Sequence, residues 1–181
     1  MPGRAPSVLL RHPAAPGRTD FRLSVSLAAS EHGLDLVYRF LGDLSALLIP
    51  PPVSPASADE LWQHTCCEAF LAKESGTAYR EYNFSPSGQW ACYRFSDYRQ
   101  RDDSFVPEAA PSTEFQPLDD GFQLHANIPA PLLPPGPLLR LGLSAVIEAA
   151  DGSKDYWALA HAAERPDFHL RQTFTLSLSR P

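Results

Sequence analysis

Proline is the feature that most restricts the fold of this 181-residue chain. The sequence carries 19 prolines, about twice the usual share of roughly 5%. Proline lacks a backbone N–H and blocks the interior of a helix, so this density excludes long helices, coiled coils and helical bundles. It suits short strands that are joined by turns. Because the length fits one domain, we expect a single all-β domain over residues 1–181, with residues 1–6 as a flexible tail.

Apolar and polar residues alternate along most of the chain, as they do in strands with one buried face. Leu23 and Val25 alternate with serines, and a turn at His32-Gly33 leads to a second alternating run. About nine or ten strands at this spacing predict an antiparallel, jelly-roll-like β-sandwich. The expected strands are 7–12 at an edge, 21–27, 34–40, 60–72, 78–84, 89–98, 122–128, a central 138–149, 155–161 and 173–178, with loops at 50–58, 99–120 (with room for a short strand) and 129–137.

Charge and cysteine content restrict the partners of the chain. Fifteen Lys and Arg against 21 Asp and Glu give a net charge of −6, which disfavours binding to nucleic-acid phosphates. No apolar run approaches a signal-peptide core or the roughly 18 residues of a membrane span. Cys66, Cys67 and Cys92 are an odd number without a C-x-x-C pair, which predicts free buried thiols in a reducing compartment. We therefore expect a cytoplasmic protein, and its oligomeric state is left open.

Aromatic and polar side chains fall together on several predicted strand faces. Rings beside carboxylate and amide groups suit a sugar, because ring faces stack while the polar groups take hydroxyls. The alternative is that Trp62 and Trp90 are core residues and that their polar neighbours satisfy backbone groups or Arg94. The candidate ligand-binding residues are Trp62, His64, Glu68, Tyr79, Glu81, Asn83, Trp90, Arg94, Trp157, His161, Asp167 and His169.

Four runs of the sequence carry a family resemblance: they are ELWQHTCCEAFL (60–71), AYREYNFSPSGQWACYRFSDYR (78–99), LRLGLSAVIE (139–148) and DYWALAHAAERPDFH (155–169). These runs resemble bacterial DOMON-like proteins of the superfamily that includes family 9 carbohydrate-binding modules. The likeness spans about residues 7–178, and it implies a β-sandwich that holds sugars or haem on a sheet face. The chain departs from the pattern at Cys67, at Gln100-Arg101 and at Ala162. The two-tryptophan clamp of sugar-binding members does not map onto specific positions.

Three functions are left open by the sequence. The first is a non-enzymatic module that binds a carbohydrate or sugar derivative, and the second is a haem-binding domain with His161 or His169 as axial ligand. The third is a protein-interaction or structural domain without a small ligand. Catalysis is not predicted, because 21 acidic residues supply carboxylate pairs by chance and no nucleophile or phosphate-loop motif occurs. The spacing of His161, Asp167 and His169 matches no metal-ligand signature.

Overall fold

The alternating runs form two antiparallel sheets, stacked face to face, in the computed structural model, which describes residues 5–15 and 21–180. The described strands are β1 (Ser7–Arg11), β2 (Arg22–Ser30), β3 (Gly33–Leu41), β4 (Cys66–Lys73), β5 (Tyr79–Phe84), β6 (Trp90–Asp97), β7 (Gln100–Arg101), β8 (Ser112–Leu118), β9 (Gly121–Pro129), β10 (Leu138–Glu148), β11 (Lys154–Ala158) and β12 (Leu176–Ser179). Short 3₁₀ turns cover Leu44–Ala46, Leu61–Gln63, Ala130–Leu132 and Arg171–Thr173. This confirms the predicted all-β antiparallel sandwich.

The strand order places sequence neighbours side by side in each sheet. The first sheet runs β8-β9-β3-β2-β1, and the second runs β7-β6-β5-β4-β10-β11. The long strand β10 lies centrally, as its apolar sequence predicts, because β4 pairs along one side of it and β11 and β12 share the other. The second sheet therefore presents a broad outward face made by five adjacent strands, β6, β5, β4, β10 and β11.

Strand β1 belongs to both sheets. Its residues 7–9 pair with β2, and Leu10 and Arg11 pair with β11. The predicted edge strand over residues 7–12 does end the first sheet, but Leu10 and Arg11 also extend the second sheet, which the flanking prolines do not indicate.

The main core lies between the two sheets and takes the inward side chains of both. Alternation along β3 buries Leu36, Tyr38 and Phe40, each no more than 1% exposed. Phe40 stacks on Phe122 of β9 with ring centroids 4.0 Å apart. Each such side chain contributes roughly 1.5–3 kcal/mol when it is fully buried. Trp157 of β11 also lies in this core.

A second apolar cluster covers part of the outward face of the second sheet. Phe70, Tyr79 and Phe95 project from β4, β5 and β6, and Phe174 packs among them. Phe174 comes from residues 159–175, which join β11 to β12 and fold back over this face. We call residues 159–175 the covering segment.

The remaining sequence predictions differ from the structure at element boundaries. The strand expected over 60–72 begins only at Cys66, because 61–63 form a 3₁₀ turn. The loop at 99–120 contains β7 and β8, which raises the described strands to twelve. Of the flexible tail expected at 1–6, residues 1–4 lie outside the described residues. A single domain over residues 1–181 stays a prediction. Among the described residues, no helix is long and apolar enough to cross a membrane.

Candidate functional site

An open hollow of about 920 Å³ lies on the outward face of the second sheet. Its floor crosses β6, β5, β4, β10 and β11, a width of roughly 19 Å at the usual strand spacing of about 4.8 Å. Its walls come from the 3₁₀ turn before β4, from the turn between β6 and β7, and from the covering segment. The residues that line it are Asp59, Glu60, Trp62, Glu68, Phe70, Glu81, Tyr93, Phe95, Arg99, Arg101, Val146, Tyr156, Arg165, Pro166, Phe168 and His169.

Two buried carboxylates, Glu68 and Glu81, form the polar part of the floor. Alternation turns them outward, because their neighbours along β4 and β5 fill the core on the other side. Glu68 Oε2 accepts a hydrogen bond from the Ser144 hydroxyl at 3.2 Å, and Glu81 Oε1 accepts one from the Asn83 amide at 2.9 Å. Both residues are nearly inaccessible, at 3% and 5% exposed. The partners in these two hydrogen bonds are neutral, so neither bond supplies the countercharge that a buried carboxylate needs.

Burial makes both carboxylates difficult to ionise. It raises the pKa of Glu68 well above its ordinary value, and the negative charge of Glu81 adds to this effect. Burial also raises the pKa of Glu81 to about 7, against the Asn83 hydrogen bond and the positive charges of Arg99 and Arg101. At neutral pH the pair therefore retains at least one proton, and it presents both a donor and an acceptor at the floor.

His169 reaches this floor from the covering segment and is held as a neutral imidazole. The Tyr79 hydroxyl accepts a hydrogen bond from the Arg99 main-chain N–H at 3.1 Å and is hydrogen-bonded to His169 Nδ1 at 2.7 Å. Nε2 of His169 lies 3.7 Å from Glu81 Oε2. Burial lowers the pKa of His169 to about 4, and the positive charge of Arg99 acts in the same direction.

Two arginines at the rim of the hollow, Arg99 and Arg101, are paired with carboxylates. Arg99 Nη2 lies 3.0 Å from Asp167 Oδ1, which ties the covering segment to the turn after β6. Arg101 stacks over the Tyr93 ring at 4.2 Å and lies 3.5 Å from Asp59. The Tyr93 hydroxyl donates to the same Asp59 carboxylate at 2.7 Å. The rim is thus a network of planar polar groups around an aromatic wall.

Backbone strain is concentrated at this hollow. Among the described non-glycine residues, only Glu60 (φ 60°) and Arg99 (φ 54°) have a positive φ, and both line the hollow. The left-handed conformation costs on the order of 1–2 kcal/mol for such residues. Glu60 opens the 3₁₀ turn that carries Trp62, whose side chain is 48% exposed. Strain that persists at a cavity wall is a feature of functional sites.

Four of the sequence-predicted residues line the hollow: they are Trp62, Glu68, Glu81 and His169. Three others do not line the hollow but hydrogen-bond to residues that do. Tyr79 and Asn83 hydrogen-bond to His169 and Glu81, and Asp167 accepts a hydrogen bond from the His169 main-chain N–H at 3.0 Å.

Trp90 and Arg94 lie on the opposite face of β6 and do not join Glu81 and Asn83, which corrects the predicted grouping. The register pairs Trp90 with Phe84 and Arg94 with Arg80, so these side chains share the face that points away from the hollow. Trp90 instead lines a smaller hollow of about 280 Å³. Arg94 forms an ion pair with Asp102.

The last three candidates also lie outside the hollow. Trp157 is only 7% exposed and belongs to the core between the sheets, because β11 turns odd-numbered residues inward. His64 follows the 3₁₀ turn and pairs with Glu148, with Nδ1 at 2.8 Å from Oε2. His161 is bound to the Leu10 carbonyl, at 2.7 Å from Nε2.

The positions of His161 and His169 weigh against the haem alternative. Both ring nitrogens of His169 face protein partners, Tyr79 and Glu81. His161 lies outside the hollow, and its Nε2 donates to a main-chain carbonyl. Of the two, only His169 lines the hollow, and its Nδ1 is already bound to the Tyr79 hydroxyl.

Several lining residues are not among the sequence-based candidates. Tyr93 is one that pattern alone could have found, since a hairpin turn at Ser85–Gln89 places it directly opposite Glu81. Tyr156 is another, because it lies on the predicted strand 155–161 and alternates with the buried Asp155 and Trp157. Arg99 and Phe168 lack such a signal, since they reach the hollow through the β6–β7 turn and the covering segment, neither of which has strand periodicity.

Solved structures of the same architecture include carbohydrate-binding proteins. A candidate carbohydrate-binding protein from Bacteroides uniformis ATCC 8492 matches with a TM-score of 0.69 at 14% identity, over 96% of this chain and 86% of that chain. A family 9 carbohydrate-binding module from Caldicellulosiruptor kristjanssonii in complex with glucose matches with a TM-score of 0.57 at 10% identity, over 96% and 83%. A family 9 module from the same organism in complex with cellotriose gives 0.50 at 12% identity, over 83% and 71%.

At these identities the likeness concerns the fold alone: the chain is a β-sandwich like those of family 9 carbohydrate-binding modules. No sequence-family model and no curated protein sequence matches the chain.

Proposed function

We propose that this protein is a non-enzymatic binding module for a saccharide, which it holds in the hollow on the outward face of the second sheet. The observation that carries the proposal is the combination of accessible aromatic faces with buried carboxylates in one concave site. A pyranose ring has apolar faces that stack on aromatic rings and a perimeter of hydroxyls that need planar polar partners. The named ligands of the two family 9 module structures, glucose and cellotriose, agree with this chemistry.

Within this proposal each part of the hollow has one task. Trp62, Tyr156 and Phe168 supply ring faces at the walls, and the ring of the ligand stacks on them. Glu68 and Glu81 take its hydroxyls at the floor, where a shared proton allows them to donate as well as accept. Because these groups are already fixed by hydrogen bonds, binding costs little side-chain entropy.

The same arrangement supports binding without catalysis. A glycosidase needs one carboxylate kept ionised as nucleophile or base and another kept protonated as acid. In the hollow, the hydrogen-bond partners of Glu68 and Glu81 are neutral and burial raises the pKa of both carboxyls, so neither is kept fully ionised at neutral pH. Burial lowers the pKa of His169 to about 4, which makes it a weak base.

Trp62→Ala is expected to weaken saccharide binding by about tenfold or more, because stacking on an aromatic face contributes on the order of 1–2 kcal/mol. Trp62 is 48% exposed on a surface turn, so the free energy of unfolding should change little. A glycan array with the wild type identifies ligands, and calorimetric titration with glucose and cellotriose compares the affinities of the two proteins.

Trp90→Phe is the matched control, since Trp90 lies outside the hollow on the other face of β6. It should leave the affinity unchanged. Equal binding by wild type and Trp62→Ala contradicts the placement of the ligand. A wild-type protein that binds no saccharide on the array rejects the proposal and favours the protein-interaction alternative.

We further propose that the chain is a bacterial DOMON-like protein that works in the cytoplasm. The Tyr-x-Glu-x-Asn-x-Ser-Pro run supports the first part, since it supplies β5 and the turn after it, including Glu81 at the floor. The buried, unpaired thiols of Cys66, Cys67 and Cys92 support a reducing compartment. Fractionation of cells that make the protein tests the location, and recovery outside the cytoplasmic fraction contradicts it.

A further inference from the structure

The floor of the hollow lacks a cation. The register pairs Glu68 of β4 with Asn83 of β5, so Glu81 lies two residues along β5 on the same face, diagonally opposite Glu68, and both carboxylates are almost fully buried. Glu68 Oε2 accepts a hydrogen bond from the Ser144 hydroxyl, and Glu68 lines the hollow. A pair of buried carboxylates is ordinarily stabilised by an Arg, a Lys or a metal ion.

Two of the cations that line the hollow, Arg99 and Arg101, are committed to other carboxylates. Arg99 is bound to Asp167 at 3.0 Å, and Arg101 is shared between Asp59 at 3.5 Å and Asp103 at 3.2 Å. Both guanidinium groups act on Glu81 at long range, but none of the described ion pairs joins either of them to the floor.

His169 and Arg165 do not supply the missing charge either. Nε2 of His169 faces Glu81 Oε2 at 3.7 Å, but the imidazole is neutral at neutral pH because burial lowers its pKa to about 4. Arg165 lines the hollow from the covering segment, and no described ion pair joins it to Glu68 or Glu81.

We propose that the saccharide held in the hollow carries a free, protonated amine, and that this ammonium group binds between Glu68 and Glu81. The inference rests on the proposed function and narrows its substrate class to amino sugars whose nitrogen is not acylated. An ammonium group donates three hydrogen bonds, enough to reach both carboxylates. The rings of Tyr93 and Phe70, which line the hollow near the floor, add an attraction for a cation that a neutral hydroxyl lacks.

Binding of such a ligand changes the protonation of the floor. In the empty hollow the pair retains at least one proton at neutral pH. When an ammonium group enters, its charge favours the ionised carboxylates, so a carboxylic proton leaves to solvent while the amine remains protonated. Binding therefore releases protons to solvent, and no covalent bond forms or breaks.

Matched sugars test the inference: glucosamine, N-acetylglucosamine and glucose, and the corresponding galactose series, are titrated calorimetrically into the wild type at about pH 6.5, where a sugar amine is charged. We expect the free amine to bind about tenfold more tightly than the N-acetyl and parent sugars, because its hydrogen bonds to carboxylates are charge-assisted. Repeating the titration in buffers of different ionisation enthalpy should reveal the release of protons on amine binding.

The Glu68→Gln/Glu81→Gln double variant should lose both the amine preference and the proton release. Glu114→Gln, a carboxylate-to-amide change on β8 of the other sheet, should lose neither. Parent sugars that bind as tightly as amines, or amine binding without proton release, overturn the inference and leave the proposed function intact. Glucuronate carries a carboxylate, which would bind a cation such as Arg165. Preferential binding of glucuronate therefore also overturns the inference. If no sugar of any series binds, the proposed function fails as well.

Discussion

Glu81→Gln is expected to stabilise the folded protein by about 3 kcal/mol at pH 8. The unfolded carboxyl ionises near 4.5, whereas burial holds the folded one protonated up to about 7, and each tenfold difference in proton affinity is about 1.4 kcal/mol. Above pH 7 the wild type must keep an ionised carboxylate in a buried position, and glutamine of the same shape removes that cost while it retains an acceptor for Asn83. Urea unfolding at pH 8 measures the difference.

The pH dependence of this effect has a definite sign. A carboxyl with a raised pKa in the folded state gives stability that is fully present below pH 4.5 and lost as the pH rises to about 7. His169 acts in the opposite direction: its folded pKa of about 4 lies below the ordinary 6.5, so its contribution is lost as the pH falls through that window. The two effects oppose each other in the wild type between about pH 4.5 and 6.5.

Urea unfolding at several pH values separates the two groups. In Glu81→Gln, the fall in stability towards acid that His169 causes should be offset less than in the wild type, because only Glu68 still opposes it. Glu114→Gln on the other sheet is the control for a changed net charge. A Glu81→Gln protein less stable than the wild type at pH 8 would show that Glu81 is ionised and bound by its neighbours, Arg99, Arg101 and His169.

Phe174→Ala is expected to lower the free energy of unfolding by about 3–5 kcal/mol, as for other fully buried phenylalanines. Phe174 is 1% exposed, with its ring centroid 5.8 Å from that of Phe70 and 5.9 Å from that of Tyr79. Gly142 of β10 makes this contact possible, since a Cβ there would lie 2.7 Å from the Phe174 ring. Phe174 anchors the covering segment to the sheet. Because this segment forms a wall of the hollow, saccharide binding should also be lost in Phe174→Ala.

Hydrogen exchange and urea unfolding together measure this result. Faster exchange should be confined first to residues 159–175, because the main core between the sheets does not use Phe174. Phe168→Ala, in the same segment but only partly buried, is the comparison and should cost less stability. A Phe174→Ala protein with unchanged exchange over 159–175 would mean that the segment is held by its polar ties alone.

Alternation within strands is a local signal, and this is why the sequence predicts most of the fold. Leu34, Leu36, Tyr38 and Phe40 follow one another at every second position, and all four are buried in the core. The partner change of β1 is not a local property. It depends on where β11 lies in space, which no pattern within residues 7–11 encodes.

The candidate site likewise contains residues that local alternation predicts and residues that it does not. Outward positions on predicted strands identify Glu68 and Glu81, because a period of two assigns their face once the buried face is known. The sequence-based list of candidates also contains Trp90, although the register of the β5–β6 hairpin places Trp90 on the other face of the sheet. Phe168 and Asp167 reach the hollow through contacts distant in sequence, such as that of Asp167 with Arg99. A proline-bearing segment without periodicity gives no indication of such contacts.

The partner change of β1 between Leu9 and Leu10 has a mechanical consequence. The two sheets share the backbone of β1, so they cannot separate unless the hydrogen bonds of β1 to β2 or to β11 break first. Because the hollow lies on the outward face of the second sheet, a ligand can enter and leave it without separation of the two sheets. A pulling force applied at Arg11 would act on both sheets, because β1 connects them.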